Sequence, residues 1–495
     1  MALSKAATFD SHNPVNNEVI ASHEIYNEEA VRAAVERARD ASREWRDLGF
    51  RGRRKVLLKW SDDLLANIDA LAELVSLETG KPTSDAKLEA SLAAGHIAWA
   101  ARHAESVMRT SHRSPGLLMA NMSATVERSP VGVVGVIGPW NYPVFTPLGS
   151  IAYALAAGNT VVFKPSEYTP GVGEYLAQSF IDSSVLADIF TCITGLGETG
   201  KYLCESGVDK LAFTGSTRTA KIVAATCAAH MTPVVLECGG KDPVIVAHDA
   251  DVKRAADATV WSAFSNAGQT CIGAERVYVD ERVADRFIEK VLEIAKDIHP
   301  GAPGHGKYGP STMPKQLPII QSHIDDAIAR GAKVLLGGSD SVKAPFVEPV
   351  IFCDVPEDSI AMTEETFGPT IAINRVKNMA EAIELTNASR YGLGASIWSK
   401  RRGKSIASQL HTGMVAINSV ISFAAVDSVP FGGVKDSGYG RIHGPEGILE
   451  FTYPRTVVRA RFQLPIAFTS FKRTASNDKL IVALTKLLKG RLSQI

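Results

Sequence analysis

The sequence predicts an α/β fold in which parallel sheets are covered by helices on both faces. Two observations support this prediction: short segments rich in β-branched residues alternate with helical segments after residue 130, and Gly, Pro or Asn bounds most of the short segments. Parallel neighbours need a crossover connection, which this alternation supplies. The 495 residues are enough for two to four domains of roughly 150 residues each.

Predicted elements follow one another in a regular order along the chain. Residues 28–110 predict helices, because apolar residues such as Ala34, Ala38 and Trp45 recur near helical spacing. The first α/β stretch has predicted strands at 131–137, 160–163, 189–194, 210–213 and 233–236, with helices at 148–157 and 173–182. The second has predicted strands at 243–247, 276–279, 331–338 and 348–352, with helices at 252–266 and 283–298. The two stretches share no fixed repeat period, so we expect two domains rather than an internal repeat.

Composition excludes several classes of protein. Lys+Arg and Asp+Glu both count 53, so the positive excess of a nucleic-acid-binding surface is missing and we expect no nucleic-acid partner. Hydrophobic residues make up 45% and charged residues 21%, which is typical of a folded protein. We expect no signal peptide and no transmembrane helix. Six scattered cysteines without a Cys-x-x-Cys pair predict no disulfide framework, no metal site and a reducing, cytoplasmic setting.

Cys271 is the cysteine whose surroundings favour chemistry. It ends the sequence Phe-Ser-Asn-Ala-Gly-Gln-Thr-Cys at 264–271, a small polar turn after an amphipathic helix, where a thiol can face a cleft. The other five cysteines lie in or beside apolar segments, and a lone cysteine is more often a small buried hydrophobe. The sequence predicts a candidate nucleophile at Cys271 and leaves the buried alternative open.

Glu237 ends an apolar strand and precedes two glycines. Open α/β sheets place functional groups at the carboxyl ends of their strands. Partial desolvation there raises the pKa of a carboxyl group toward the value that a base needs near neutrality. The alternative is a structural ion pair with Lys241 or Arg276.

Polar side chains also follow the first two strands of the first α/β stretch. Asn141 lies in Gly-Pro-Trp-Asn-Tyr-Pro at 138–143, where its amide can donate a hydrogen bond to a developing oxyanion. The alternative for Asn141 is a turn before Pro143. Lys164 and Glu167 flank the turn after the next strand, where they can bracket a ribose. Their alternative is a solvated turn with an ion pair.

Two glycine-rich segments are candidates for binding a dinucleotide phosphate. Residues 195–200 match the pattern Gly-x-Gly-x-x-Gly between a strand and a helix. Residues 213–220 do not match it, but Gly215, Ser216 and Thr217 can cap a helix and offer backbone N–H groups to an anion. The pattern alone does not choose between the two segments.

Taken together, these motifs resemble the NAD-dependent aldehyde dehydrogenase superfamily. The resemblance runs from about residue 19 to residue 459 and keeps the motifs in order. It includes 138–143, 164–167, 213–217, 236–240, 268–271, Glu-Glu-Thr-Phe-Gly-Pro at 364–369, Pro-Phe-Gly-Gly-Val at 430–434 and Ser-Gly-Tyr-Gly-Arg at 437–441. It implies an aldehyde dehydrogenase-like fold, with a Rossmann-type cofactor domain, an α/β catalytic domain and a small β oligomerisation element.

The resemblance implies a role for each catalytic candidate. Cys271 attacks the aldehyde to give a thiohemiacetal, whose oxyanion is held by the Asn141 side-chain amide and the Cys271 backbone N–H. After hydride has left to the nicotinamide, Glu237 activates the water that hydrolyses the thioester. Covalent catalysis converts a poor hydride donor, the hydrated aldehyde, into a good one. CoA-acylating relatives lack this base, so Glu237 predicts a free carboxylic acid as product.

The resemblance also implies NAD as the cofactor. Lys164 and Glu167 would contact the adenine ribose, and Ser216 the pyrophosphate. Glu365 and Phe367 would contact the nicotinamide end. Further predicted contacts are Trp140, Ser166, Gly197, Phe213, Gly215 and Gly239. A carboxylate at Glu167 would repel a 2′-phosphate, so we expect NAD rather than NADP.

Family members place the pyrophosphate at the helix that follows 213–216. Residues 195–200 are therefore expected to form a loop near the adenine instead of the phosphate cradle. One departure touches this region: Ala220 stands where members often carry glycine. The extra methyl group bears on helix packing and on the fine geometry around the cofactor.

The resemblance implies the following division of the chain. Residues 1–116 and 131–238 form the cofactor-binding domain, to which 439–455 return, and 239–438 form the catalytic domain. Residues 117–130 and 456–469 form the oligomerisation element of a homodimer or homotetramer. Residues 470–495 form a basic tail.

The tail predicts an amphipathic helix. Its stripe consists of Ile481, Leu484, Leu488, Leu492 and Ile495, at three- and four-residue steps, and the lysines lie largely off it. We favour packing of this helix on a partner subunit. The alternative is peripheral contact with an anionic membrane surface, since fatty-aldehyde members of the family carry C-terminal membrane extensions.

The leading function is NAD-dependent oxidation of a small-molecule aldehyde to the carboxylic acid. One alternative is a semialdehyde dehydrogenase for a carboxylate-bearing substrate, which would need an arginine in the substrate tunnel. Neither the surroundings of Cys271 nor residues 418–430 supply an obvious one, and 419–425 are apolar. The other alternative is a catalytically silent dinucleotide-binding protein on the same fold. Intact Cys271, Glu237 and Asn141 count against that reading.

Overall fold

The computed structural model describes residues 7–463 and 470–492. A hairpin of two antiparallel strands opens this part of the chain, and four helices follow it. These elements are β1 (Thr8–His12), β2 (Val19–Glu24), α1 (Glu28–Asp47), α2 (Gly49–Ala66), α3 (Ile68–Thr79) and α4 (Thr83–Val107). The helices confirm the prediction for residues 28–110. The hairpin was not predicted, because its side chains are mostly exposed and lack an apolar alternation.

The first α/β stretch forms a sheet whose core is parallel. Its elements and the two strands before them are β3 (Ser111–Arg113), β4 (Met122–Pro130), β5 (Val133–Ile137), α5 (Phe145–Ala157), β6 (Thr160–Lys164), α6 (Pro170–Ser184), β7 (Phe190–Cys192), α7 (Gly197–Glu205), β8 (Lys210–Gly215), α8 (Thr217–Ala229) and β9 (Val234–Cys238). Strands β9, β8, β5, β6 and β7 lie side by side in that order and run parallel. They are buried under helices, which explains their nearly continuous apolar sequences.

The second α/β stretch forms a sheet of seven strands in the order β12, β15, β16, β11, β10, β17, β18. Its elements are β10 (Pro243–Val246), α9 (Val252–Phe264), β11 (Arg276–Asp280), α10 (Glu281–Ala295), α11 (Leu317–Ala329), β12 (Lys333–Leu336), β13 (Val342–Lys343), β14 (Phe346–Val347), β15 (Val350–Cys353), α12 (Ile360–Thr363), β16 (Thr370–Val376), α13 (Met379–Ala388), β17 (Ser396–Trp398), α14 (Gly403–Ala407) and β18 (Ala416–Ile417). Strand β12 is antiparallel to β15, and the other pairs are parallel. The predicted α/β fold class is confirmed.

The last part of the chain returns to the first sheet. Its elements are α15 (Ser422–Ala425), β19 (Gly438–Tyr439), α16 (Gly444–Glu450), β20 (Thr452–Ala460) and α17 (Ala475–Leu492). Strand β19 pairs antiparallel with β9, and β20 pairs with β4 in a separate antiparallel sheet of β20, β4 and β3. Residues 464–469 of the predicted oligomerisation element lie outside the described residues.

Helix α17 carries exposed apolar side chains. They belong to Leu480, Val482, Leu484 and Leu487. Ile495, the last member of the predicted stripe, lies outside the described residues. Within 7–463 and 470–492, no helix is long and apolar enough to cross a membrane.

The register of the first sheet brings four strand ends to one edge. Ile137 lies opposite Lys164 on β6 and opposite Phe213 on β8. Phe213 in turn lies opposite Leu236 on β9. Because these strands are parallel, the residues that follow these positions leave the sheet together at its carboxyl edge. This edge carries most of the residues singled out from the sequence.

Candidate active site

Glu237 lies at the carboxyl end of β9. It stands opposite Thr214 on β8 and Gly438 on β19, and only 3% of the residue is exposed. Neither carboxyl oxygen has a hydrogen-bond partner among the described residues. Burial raises the pKa of Glu237 well above its usual range, against the opposing charge of Arg441. Such a group is poised to accept or hold a proton near neutral pH.

The structural alternative for Glu237 is wrong. Lys241 forms its ion pair with Glu275, and the Arg276 guanidinium donates from Nε to the Lys241 carbonyl oxygen over 2.8 Å. Both cations are therefore engaged elsewhere. The Glu237 carboxyl group pairs with neither cation and lines a cavity.

The turn before Cys271 has an unusual backbone. Asn266 and Ala267 adopt left-handed φ angles of 52° and 58°, and Gly268 follows with φ 71°, where an added Cβ would collide with the Gly368 carbonyl group. The Gln269 side chain fixes the turn: its Nε2 donates to the Asn266 carbonyl over 2.9 Å. Strained backbone of this kind persists only where the surroundings determine it, and it is frequent at functional sites.

Cys271 and Glu237 line the same cavity of about 280 Å³. Cys271 is half-buried. Burial raises the pKa of its thiol, and the carboxyl groups of Glu365, Asp242 and Glu237 raise it further. The backbone N–H of Ile272 acts in the opposite direction. The thiol is therefore protonated at rest and needs a base before it can act as a nucleophile.

Asn141 is buried beside the Cys271 turn. Its side-chain Nδ2 donates to the carbonyl oxygen of Gln269 over 2.9 Å, two residues before the thiol. A primary amide carries two N–H donors, so one of them is left for a ligand. The Asn141 backbone oxygen accepts from Lys81 Nζ over 2.7 Å and from Asn266 Nδ2 over 3.1 Å. Asn141 therefore shares a hydrogen-bond network with the segment that carries Cys271.

Sequence reasoning missed the ion pair that supports Asn141. Lys81 and Glu89 are both buried, and their charged atoms lie 2.6 Å apart. Glu89 Oε1 also accepts from the backbone N–H groups of Val144 and Phe145, over 2.8 and 3.1 Å, where α5 begins. No local pattern marks these two residues, because their role appears only when α4 packs against the 141–145 segment.

The turn after β6 brings together three predicted cofactor contacts. Lys164 is buried, and its amine donates to the Pro165 carbonyl over 2.8 Å, so two of its three protons are left for a ligand. Burial lowers the pKa of Lys164. Ser166 donates to the Glu167 carboxylate over 3.4 Å. The alternative of a solvated ion pair is wrong for Lys164, since its amine is buried and bonded to a carbonyl group.

Residues that were predicted to contact the nicotinamide end of the cofactor also have partners in the structure. The rings of Trp140 and Phe367 meet edge to face, with centroids 5.5 Å apart. Glu365 accepts a hydrogen bond from the Gly240 backbone N–H over 3.2 Å, and an added Cβ on Gly239 would collide with its carboxylate. Burial, followed by the charge of Glu275, raises the pKa of Glu365 to about 8.

The remaining predicted contacts surround β8. Ser216 caps α8 by accepting the Thr219 backbone N–H over 3.3 Å, and Gly215 lies against the ring of Phe213. Gly197 begins α7, in open space. The residues of this edge fit a dinucleotide. Lys164 and Glu167 offer a donor and an acceptor to ribose hydroxyl groups, and the N-terminus of α8 suits a pyrophosphate.

The fold and the motifs match known proteins. The model of the Aldehyde dehydrogenase family matches residues 2–457. The chain belongs to the aldehyde dehydrogenase family. It is 36% identical to the 4,4′-diapolycopene aldehyde oxidase of Methylomonas sp, covering 95% of this chain and 89% of that protein. It is also 36% identical to the succinate-semialdehyde dehydrogenase [NADP(+)] GabD of Escherichia coli (strain K12), covering 90% of this chain and 93% of that one.

A solved structure matches this aldehyde dehydrogenase closely. The NAD-dependent aldehyde dehydrogenase from Sinorhizobium meliloti superposes with a TM-score of 0.89 at 32% identity, covering 94% of this chain and 93% of that one. Members of the family oxidise aldehydes with a nicotinamide dinucleotide, in agreement with the fold and with the edge described above.

The cavity beside Cys271 is largely apolar. Its apolar walls include Leu88, Leu92, Phe145, Trp261, Ile272, Val420, Ile421, Ala424, Ala425, Phe431 and Ile442. No arginine is present among the described residues that line it, and Lys81, the lysine in its wall, is paired with Glu89. An aldehyde with an apolar tail suits this lining better than one with a free negative charge.

Proposed function

We propose that this aldehyde dehydrogenase oxidises an apolar aldehyde to its carboxylic acid with NAD, using Cys271 as the nucleophile and Glu237 as the base for the hydrolytic water. The observation that carries the proposal is the shared cavity of Cys271 and Glu237, in which both carboxyl oxygens of Glu237 lack a partner among the described residues. A carboxylate kept free of protein donors can take a proton from a thiol or from a water.

The residues divide the reaction between them. The Cys271 thiol gives its proton to the ionised Glu237 carboxylate, which releases it to solvent, and Sγ forms a bond to the aldehyde carbon while the carbonyl electron pair moves to oxygen. The Asn141 amide and the Cys271 backbone N–H donate to that oxyanion. A bound nicotinamide supplies the hydride acceptor that converts the adduct into a thioester. Glu237 then takes a proton from the water that attacks the thioester carbon, and the C–S bond breaks to return the Cys271 thiolate.

Glu167 is the basis for proposing NAD over NADP. A carboxylate that accepts from a ribose 2′-hydroxyl group repels a 2′-phosphate, while the neighbouring Lys164 serves either cofactor. The relatives do not agree on this point, because the name of GabD specifies NADP(+) and that of the Sinorhizobium meliloti protein NAD.

We expect kcat/KM for NAD to exceed that for NADP by about tenfold or more. Glu167→Gln should lower this ratio, because it removes the repulsion between the carboxylate and the 2′-phosphate of NADP, which costs about 1–3 kcal/mol. Steady-state rates with each cofactor and one aldehyde measure the ratio. Glu205→Gln, at the far end of α7, is the matched control. A ratio that Glu167→Gln leaves unchanged would contradict the assignment.

The second candidate function is oxidation of a carboxylate-bearing semialdehyde. The observation that favours it is the 36% identity to a succinate-semialdehyde dehydrogenase. The cavity lining counts against it, because the described walls hold no arginine to pair with a second carboxylate. The name of the 4,4′-diapolycopene aldehyde oxidase, which matches 95% of this chain, favours an apolar substrate.

Absorbance at 340 nm with a panel of aldehydes tests the proposed function. Apolar aldehydes should give NADH and the matching acid, identified by mass spectrometry, and semialdehydes of equal length should react more slowly. Faster oxidation of the semialdehydes would favour the second candidate. Binding of NAD without turnover of any aldehyde would instead favour a silent dinucleotide-binding protein.

We also propose that the enzyme works as a homodimer or homotetramer in the cytoplasm. Strand β20 and the exposed apolar side chains of α17 support an assembly in which both elements contact a partner subunit. The six cysteines are free, which suits a reducing compartment. Contact of α17 with an anionic membrane is the alternative, and a chain ending at Ser470 that still binds anionic vesicles as the full chain does would exclude it.

A further inference from the structure

His443 is a buried histidine in the wall of the aldehyde cavity that the reaction above does not use. It follows the Ser-Gly-Tyr-Gly-Arg segment and precedes α16, and it lines the same cavity as Cys271 and Glu237. Its backbone adopts φ 61° and ψ 165°, a conformation that favours glycine and that other residues rarely adopt. The chain therefore holds an imidazole at a position where glycine would be easier to accommodate.

Neither ring nitrogen of His443 has a hydrogen-bond partner among the described residues, although only 1% of the residue is exposed. Buried polar atoms are almost always paired, so an orphaned ring that faces a cavity indicates a missing partner. The rings around it are His96, with centroids 4.0 Å apart, and Phe431, Phe145 and Tyr153 at 5.4, 5.5 and 5.7 Å.

The fold makes room for this ring. Gly149 on α5 lies so close to His443 Nε2 that an added Cβ would collide with it. The neighbouring histidine, in contrast, is fully engaged. His96 Nε2 donates to the Ala424 carbonyl over 3.1 Å, and its Nδ1 lies 2.9 Å from the Tyr153 hydroxyl group. His96 thus has a structural role, and the free hydrogen-bonding capacity of the pair belongs to His443.

Chemistry limits what His443 can bind. Burial lowers the pKa of His443 well below its usual range, and the neighbouring His96 lowers it further. A neutral imidazole has one donor nitrogen and one acceptor nitrogen. A hydroxyl group can pair with either nitrogen, as donor or as acceptor, and a carbonyl oxygen can pair with the donor, whereas a carboxylate would need a cation.

We propose that His443 is a specificity-determining residue that hydrogen-bonds an uncharged oxygen, hydroxyl or carbonyl, on the tail of an otherwise apolar aldehyde. The proposal rests on the proposed function, since it assigns the substrate class of the same cavity. It follows from the position of the orphaned imidazole in a largely apolar wall, where its ring can pair with a second oxygen of the substrate.

Matched pairs of aldehydes test the proposal. For chains of about four to nine carbons, kcat/KM is measured for the n-alkanal, for the ω-hydroxyalkanal and for the ω-carboxylate semialdehyde. A site that hydrogen-bonds a substrate hydroxyl discriminates strongly against the analogue that lacks it. We expect the wild type to prefer the hydroxyalkanal over the alkanal by about tenfold or more at one or more chain lengths, and to react slowest with the semialdehyde.

Variants locate the preference. His443→Leu should lower the ratio of hydroxyalkanal to alkanal by at least about tenfold, and His443→Asn, which keeps a donor and an acceptor, should lower it less. Val420→Ala, which changes the same cavity wall at a residue outside the rings packed around His443, is the control for wall shape and should leave the ratio within about twofold. A ratio that His443→Leu does not change would overturn the proposal, as would a semialdehyde that is preferred in the wild type and lost in His443→Leu.

The wild-type enzyme alone keeps the test decisive if a variant fails to fold. Equal kcat/KM for hydroxyalkanal and alkanal at every length, together with equal inhibition by alkanols and α,ω-diols, would show that His443 binds only water. That outcome overturns the proposal while the proposed aldehyde oxidation stands. If the wild type oxidises no aldehyde at all, the proposed function fails instead.

Discussion

Carboxyl groups lie close to the Cys271 thiol. Glu237, Glu365 and Asp242 all raise the pKa of Cys271, and burial raises the pKa of each of them in turn, to about 7 for Asp242 and to about 8 for Glu365. Such groups are costly in the folded state, because each prefers to be neutral there while water would ionise it. Strain of this kind is expected where the arrangement serves a reaction rather than stability.

The cost of burying Glu365 can be measured through the pH dependence of the free energy of unfolding. Its folded pKa is about 8 against an ordinary value of 4.5, so between these values the folded chain keeps a proton that the unfolded chain has lost. The stability that the protonated Glu365 carboxyl group contributes is fully present below pH 4.5 and is lost as pH rises through about 8. The free energy of unfolding changes by at most about 1.4 kcal/mol per pH unit over this range.

We predict that Glu365→Gln increasingly stabilises the protein, relative to the wild type, as pH is raised from 5 to 8. Urea unfolding at both pH values gives the two free energies. Glu364→Gln is the control, because that neighbouring carboxylate is exposed and paired with Arg390, and its effect should not share this trend. The same difference between Glu365→Gln and wild type at pH 5 and pH 8 would show that the carboxyl group is not held neutral.

At the scale of elements, one buried ion pair joins α4 to the start of α5. Lys81 reaches the Asn141 carbonyl, and Glu89 reaches the N–H groups of Val144 and Phe145. Removing one partner leaves an unpaired buried charge, which typically costs about 3–5 kcal/mol, whereas replacing both costs less. The same pair fixes the segment that carries the Asn141 amide.

Lys81→Met should therefore lower the free energy of unfolding by about 3–5 kcal/mol, and Lys81→Met with Glu89→Gln should recover part of the loss. Lys87→Met, on the helix α4 that carries Glu89, is the control. Its ion pair with Asp69 is exposed, so the expected loss is about 1 kcal/mol or less. Denaturant unfolding measures both free energies of unfolding. Equal losses for Lys81→Met and Lys87→Met would mean that the buried pair contributes no more to stability than the exposed one.

Some of these residues and elements could be predicted from the sequence, and others could not. Cys271, Glu237 and Asn141 could be singled out because each follows the end of a strand or helix, where a short pattern marks it. The strands predicted between residues 131 and 352 lie within a few residues of observed strands, since buried parallel strands have compact apolar sequences. Strands β16, β17 and β18 of the second sheet were not predicted. The orphaned His443 and the Lys81–Glu89 pair could not be predicted, because each depends on packing between segments distant in sequence. The hairpin of β1 and β2 lacked any apolar alternation.

At the scale of the whole molecule, the outlying sheet of β20, β4 and β3 has an exposed strand. After its first residue, every residue of β20 is exposed, including Val457 and Val458. An exposed strand with apolar side chains at the edge of a sheet readily pairs with another chain. This sheet is therefore the surface on which we expect subunits to meet.

We predict that Val458→Lys lowers the particle mass from that of an oligomer toward the 53.0 kDa of the single chain, because the charge would be buried at the contact. Size-exclusion chromatography with light scattering measures the mass. Ile222→Lys on α8, which is 60% exposed, is the control and should leave the mass unchanged. An oligomer that survives Val458→Lys would place the contact elsewhere.

The proposed covalent intermediate on Cys271, which Glu237 resolves, can be detected by rapid-mixing absorbance at 340 nm. Wild type should turn over continuously. Glu237→Gln should release about one NADH per subunit in a burst and then slow by about 100-fold or more, since the thioester forms but is not hydrolysed. Cys271→Ala should give neither burst nor turnover. Continuous NADH production by Cys271→Ala would show that no covalent intermediate on Cys271 is needed, and full steady-state turnover by Glu237→Gln would show that Glu237 is not the base.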